Sequence, residues 1–114
     1  MFPAWYEPPQ KRKPKSASAP LVINAVSKIM AVSVEDLKSP SRAKKLCMAR
    51  HTAYYMMRRH CHHLSYQRIA YSIGRNDHTT VMHGCAVIDD LLRKDKKLVG
   101  QIDAITKVIE RANK

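Results

Sequence analysis

The residues best suited to chemistry lie close together. Asp77, His78, Thr79 and Thr80 are consecutive, and Met82 and His83 follow one helical turn on. Threonine methyls pack on the C5-methyl of thymine, and threonine hydroxyls donate or accept. Histidine offers either role, and a carboxylate accepts from cytosine N4. A carboxylate near phosphates is costly unless it meets a donor, so Asp77 is expected to read a base, cap its own helix, or do both. If Asp77 and Thr80 were only caps, the neighbouring His78 and Thr79 would be left unexplained.

Other constellations are weaker. His60-Cys61-His62-His63 is rich in metal ligands. Adjacent side chains do not easily converge on one tetrahedral ion, however, and no partner pair at zinc-ligand spacing stands nearby, so no metal is expected. Tyr54, Tyr55, Tyr66 and Tyr71 could stack on single-stranded RNA, but their helical spacing suits packing better. No paired carboxylates and no Ser/His/Asp arrangement argue for catalysis, so neither an enzyme nor a small-molecule substrate is expected. Cys47 and Cys85 fall on or near apolar faces and read as buried thiols.

The charge supports a polyanionic partner. The 114 residues hold 21 Lys plus Arg against 9 Asp plus Glu, a formal charge of +12. From Leu37 to Asn76 no residue is acidic, while Lys38, Arg42, Lys44, Lys45, Arg50, Arg58, Arg59, Arg68 and Arg75 all occur there. A solvated helix face normally mixes both signs. A stretch that declines every carboxylate fits a surface that meets phosphates. No apolar run is long enough to span a membrane, and the first residues do not form a signal peptide. A cytoplasmic, nucleoid-associated protein is expected.

Six helical segments must position these groups, and the fold class is all-α. Residues 1–20 carry five of the six prolines and the basic run Lys11-Arg12-Lys13-Pro14-Lys15, and read as a disordered arm. The domain is expected over 21–114. Val22, Val26, Ile29 and Met30 recur at a helical period, and Ser33 opens a short second helix. Ser41 is the expected cap of a third helix that buries Leu46, Ala49, Ala53, Met56 and Met57. Ser65 caps a fourth, which buries Ile69 and Ile73, and Gly74 ends it in a left-handed residue. Asp77 caps a fifth with Val81, Cys85, Ile88 and Leu92 inward. Asp95 caps the last, where Leu98, Ile102, Ile105 and Ile109 face the core and Gly100 costs about 1 kcal/mol. The helix at about 65–73, the turn Gly74-Arg75-Asn76 and the helix from Asp77 make a helix-turn-helix, whose second helix enters the major groove.

The run Gly74-Arg75-Asn76-Asp77-His78-Thr79-Thr80-Val81-Met82-His83 resembles GGRDHTTVLHA, the signature of the C-terminal DNA-binding domain of the bacterial replication initiator DnaA. Val32-Ser33-Val34-Glu35-Asp36-Leu37, with Ser39 and Arg42, is similar to that family's VSVEDLLSKSR. Ala49-Arg50, with Ala53 and Tyr55, resembles its ARQIAMY. Together the three motifs cover about residues 21–112. Arg75 and Asn76 replace the family's second turn glycine and the following arginine, and Ala70 and Ile73 replace a glycine and an aromatic.

The resemblance implies binding of double-stranded DNA at AT-rich boxes of TTATNCACA type. It implies that Asp77, His78, Thr79, Thr80 and His83 contact bases in the major groove, and that Arg50 enters the minor groove. Lys44, Lys45, Arg58, Arg59, Ser65, Gln67, Arg68, Arg75 and Asn76 are the phosphate-contact candidates, chosen by charge and position. The three glycines include no G-x-x-x-x-G-K-[ST] loop, so no ATP-hydrolysing step and no cofactor are expected. The expectation is a freestanding DNA-reading module that modulates replication initiation or transcription, with the host initiator or other replication proteins as further partners. A nonspecific nucleoid protein and a phage or plasmid regulator are the alternatives.

Overall fold

A computed structural model describes residues 17–112. They form six helices and, among the described residues, no strand: α1 Ala19–Met30, α2 Val34–Lys38, α3 Lys44–His60, α4 Tyr66–Ser72, α5 His78–Leu91 and α6 Lys96–Ala112. The all-α expectation holds.

The central element is α3, because its apolar residues recur around more than one face. Ala49, Ala53, Met56 and Met57 are buried, together with Tyr54. These residues let α3 pack against α1 on one side and α5 on the other. α1 contributes Val22, Ile23, Ala25 and Val26 and is covered in turn by α6, whose Leu98, Ile102, Ile105 and Ile109 form a single stripe. The Asp95 carboxylate accepts from the backbone N–H groups of Lys97 and Leu98 and so caps α6 as expected.

The helix boundaries correct two expectations. α1 starts ahead of residue 21: the Ser18 hydroxyl accepts from the Leu21 N–H, and Pro20 occupies the first turn, where a missing N–H costs nothing. Ala17 is buried, and its N–H donates to the His60 carbonyl at 2.9 Å, so residues 17–20 belong to the folded unit. The arm expected over 1–20 otherwise lies outside the described residues. Ser41 does not cap α3. Its hydroxyl accepts from the Ala43 N–H within the preceding loop, and α3 begins at Lys44 with no side-chain cap.

Three packing details also differ from expectation. The buried stripe of α5 runs through Val81, Gly84 and Ile88, leaving Cys85 half-buried. Cys47 is half-buried as well; the buried thiol is Cys61, which desolvation raises to about 11. Among the tyrosines Tyr54 is buried, whereas Tyr71 is 57% exposed on α4.

Candidate nucleic-acid interface

The helix-turn-helix is built locally. The Ser65 hydroxyl accepts from the Arg68 N–H to start α4. At its end, Gly74 adopts φ +75°, the Gly74 N–H donates to Tyr71 O, and the Arg75 N–H donates to Ala70 O. This paired pattern is the Schellman arrangement, which needs a left-handed residue where glycine stands. The Gln67 amide donates to Asn76 O at 2.6 Å, bracing the turn from α4. One Asp77 carboxylate oxygen then accepts from the Thr79 N–H at 2.9 Å, so Asp77 is the N-cap of α5.

The start of α5 faces outward. Asp77, His78, Thr79 and His83 are exposed and Thr80 is half-buried. Met82 is 47% exposed although it is a large apolar side chain. The five expected major-groove residues thus lie at the cap and in the first two turns of α5.

What sets the depth of α5 against α3 is Gly84. A Cβ there would stand 2.7 Å from His51 Nδ1 and 2.8 Å from Tyr54 Cδ2, so only glycine permits this approach. His51 in turn meets His83 edge-on, with ring centroids 5.8 Å apart. Burial of the His51 ring lowers its pKa below 6.5, helped by the nearby His83 and Arg50 charges. Sequence reading overlooked His51, a polar residue one step from the buried stripe of α3.

Arg50 requires a correction. Its side chain is turned inward and only 6% exposed. Nε donates to Leu37 O at 2.8 Å, Nη1 to Ser41 O at 2.6 Å, and Nη2 to Ser39 O at 2.7 Å and Asp36 O at 3.2 Å; Cys47 Sγ stands 3.9 Å from Nη1. Asp36 and Leu37 sit in the last turn of α2; the Asp36 carbonyl also accepts from the Ser39 N–H and hydroxyl, whereas the Leu37 carbonyl, at the close of the helix, has Arg50 as its donor. The guanidinium satisfies them and spends its donors doing so. The minor-groove role implied for Arg50 is incompatible with this position: withdrawing the side chain would strand the carbonyls of Leu37 and Ser41. The loop it braces carries Arg42, which is exposed.

The phosphate-contact candidates divide by what they already hold. Lys44 and Lys45 are exposed at the start of α3, and Arg68 and Asn76 are exposed beside the turn. Arg58 stacks on the Tyr66 ring, 4.6 Å from its centroid, and donates to the Tyr66 hydroxyl. Arg59 reaches the Tyr55 hydroxyl at 3.3 Å. Both arginines are exposed. Arg75 is half-buried, and it donates to Ser39 O at 2.6 Å and to Lys38 O at 3.4 Å. Gln67 and Ser65 are occupied with the turn and the cap.

Comparison with known proteins agrees with this architecture. The model of a family described as the bacterial dnaA protein helix-turn-helix matches residues 20–88. The chain belongs to the bacterial DnaA helix-turn-helix family. The chromosomal replication initiator protein DnaA of Rippkaea orientalis is 36% identical over 107 residues, which is 94% of this chain and 23% of that protein. The DnaA of Crocosphaera subtropica is 38% identical over 99 residues, 87% of this chain and 22% of the relative. That of Picosynechococcus sp. is 42% identical over 89 residues, 75% and 20% respectively. The chain therefore spans about a fifth of the length of the curated DnaA proteins it matches. The DnaA family match takes in α1 through most of α5, so it includes the whole helix-turn-helix and the loop braced by Arg50.

Proposed function

We propose that this chain binds double-stranded DNA with sequence preference, at DnaA-box-like sites, and thereby modulates replication initiation or transcription. The observation that carries the reading is the amino end of α5. There a capped helix start presents Asp77, His78, Thr79, Met82 and His83 to solvent in a helix-turn-helix of the DnaA family. In this reading α5 lies in the major groove with its first residues against base edges. Asp77 has one carboxylate oxygen committed to its cap and the other free for an amino group of a base. Exposed Lys44, Lys45 and Arg68 hold the phosphates, and Arg58, Arg59 and Asn76 line the path of the backbone beside them. Arg42 takes the minor-groove role that Arg50 is placed too deep to fill. These 114 residues hold no G-x-x-x-x-G-K-[ST] phosphate loop, and the proposed role needs only the DNA-facing surface.

A salt titration of binding to a box duplex and to a scrambled duplex of equal composition tests the proposal. The box should bind more tightly at every salt concentration, with log Kd rising linearly with log salt for both. His78→Ala or Thr79→Ala should cost about 1–3 kcal/mol on the box and relax preference at one or two base pairs. Lys44→Ala should weaken both duplexes alike and soften the salt dependence. Equal affinity for the two duplexes would leave a nonspecific nucleoid protein.

A further inference from the structure

Two guanidinium groups converge on one backbone oxygen. Ser39 O accepts from Arg50 Nη2 at 2.7 Å and from Arg75 Nη2 at 2.6 Å, which uses both of its lone pairs. Arg50 comes from α3 and Arg75 from the turn of the helix-turn-helix, so the α2–α3 loop is held from both sides. Gly74 stands against the same loop, where a Cβ would lie 3.8 Å from Lys38 O. Among the described residues no carboxylate pairs with either arginine, so only neutral acceptors, chiefly carbonyl dipoles with the Ser39 hydroxyl beside Arg50, offset the repulsion between two like charges. Such an arrangement persists where the geometry it fixes is itself required.

What it fixes is the relation between two exposed elements. One is Arg42, one residue beyond the Ser41 carbonyl that Arg50 holds; the other is the amino end of α5, whose cap Asp77 lies two residues beyond Arg75. We propose that Arg75 is a positioning residue: it joins the turn to the loop and so sets the span between the Arg42 contact and the reading face of α5. The sequence-level view of Arg75 as a phosphate ligand is the competing assignment. The proposal rests on the DNA-binding reading above, and it adds that selectivity at the base pairs flanking those read by α5 depends on a residue that touches no base.

A double-mutant cycle on the folded chain separates the two assignments. Arg42→Ala, Arg75→Met and the double variant are titrated against the box duplex and against boxes altered one base pair at a time, with thermal melts run in parallel. Arg42→Ala should erase discrimination at a small set of flanking pairs by about tenfold. Arg75→Met should erase discrimination at the same pairs while leaving those read by His78 and Thr79 unchanged, and the double variant should resemble Arg42→Ala alone. Arg75→Lys, which keeps the charge and can reach one carbonyl, should restore part of the discrimination and serves if Arg75→Met does not fold. Losses that add across all sequences, with a shallower salt slope, would make Arg75 a phosphate ligand and overturn the proposal. An Arg42→Ala variant that discriminates like the parent protein would overturn it too, since nothing would be left to position. If the parent protein itself does not distinguish the box from a scrambled duplex, the DNA-reading assignment is what has failed.

Discussion

Cations are handled in two different ways at the two sides of this domain. Along the second half of α5 and along α6 they meet carboxylates one turn away. Arg93 pairs with Asp89, Lys94 with Asp90 and Lys107 with Asp103, all at i,i+4 spacing and all largely exposed. Around the α2–α3 loop and the turn, between Leu37 and Asn76, carboxylates are absent and cations meet backbone carbonyls or solvent. The first pattern is that of a face that stays in water, where each pair contributes a few tenths of a kcal/mol. The second leaves positive potential uncancelled over a contiguous surface, as a partner made of phosphates requires. The two sides teach that the count of basic residues matters less than what each one already holds.

The sharpest way to break this contrast is Arg50→Ala. Removing a guanidinium that serves the carbonyls of Asp36, Leu37, Ser39 and Ser41 should lower unfolding free energy by about 3 kcal/mol or more, read by urea denaturation. A loss below about 1 kcal/mol would show that water substitutes for Arg50, and the two sides would then differ only in sign. Two glycines extend the comparison. Gly84→Ala forces a Cβ against His51 and Tyr54 in the seam between α3 and α5 and should cost about 1–3 kcal/mol. Gly100, on α6, has open space around it, so Gly100→Ala should raise stability by about 1 kcal/mol. Thermal melts of both variants check the opposite signs. Lys107→Ala should shift stability by no more than about 0.5 kcal/mol, which a careful melt resolves.

The gentlest probe is pH. Burial lowers the pKa of His51, and its charged neighbours His83 and Arg50 push the same way. Burial lowers that of His60 as well; Arg59 adds to the effect, and Glu110 of α6 opposes it before His62 adds a little more. Both rings are neutral in the folded chain at pH 7, and below the unfolded value of 6.5 the unfolded chain binds more protons. Stability should therefore fall as pH drops below about 6.5, levelling off once each folded-state ring is itself protonated. His51→Gln should flatten that slope in denaturation curves taken between pH 7.5 and pH 5. A slope that survives both His51→Gln and His60→Gln would place the acid sensitivity elsewhere.

Much of this was legible in the chain because local signals agreed with global ones. Ser65, Gly74, Asp77 and Asp95 are each dictated by the backbone geometry at a helix end, and each stands where the sequence puts it. The stripe of α6 has one face and one period, and it was read without error. Arg50 was misread because its assignment came from resemblance rather than from periodicity. Position 50 lies four residues after Leu46 and three before Ala53, on the buried side of α3, and that spacing already argued for an interior role. The α5 stripe was misread at Cys85 because glycine carries no hydrophobic signal, although Gly84 marks the closest approach of two helices. Tertiary bonds such as Arg75 to Ser39 join residues far apart in sequence, and no local pattern announces them.

The bond from Ala17 to His60 has a mechanical consequence. α3 runs about 25 Å from Lys44 to His60, and the α2–α3 loop sits at its opposite end. Residue 17 is thus tied to the pole of α3 remote from that loop, so α3 separates the two attachments by its full length.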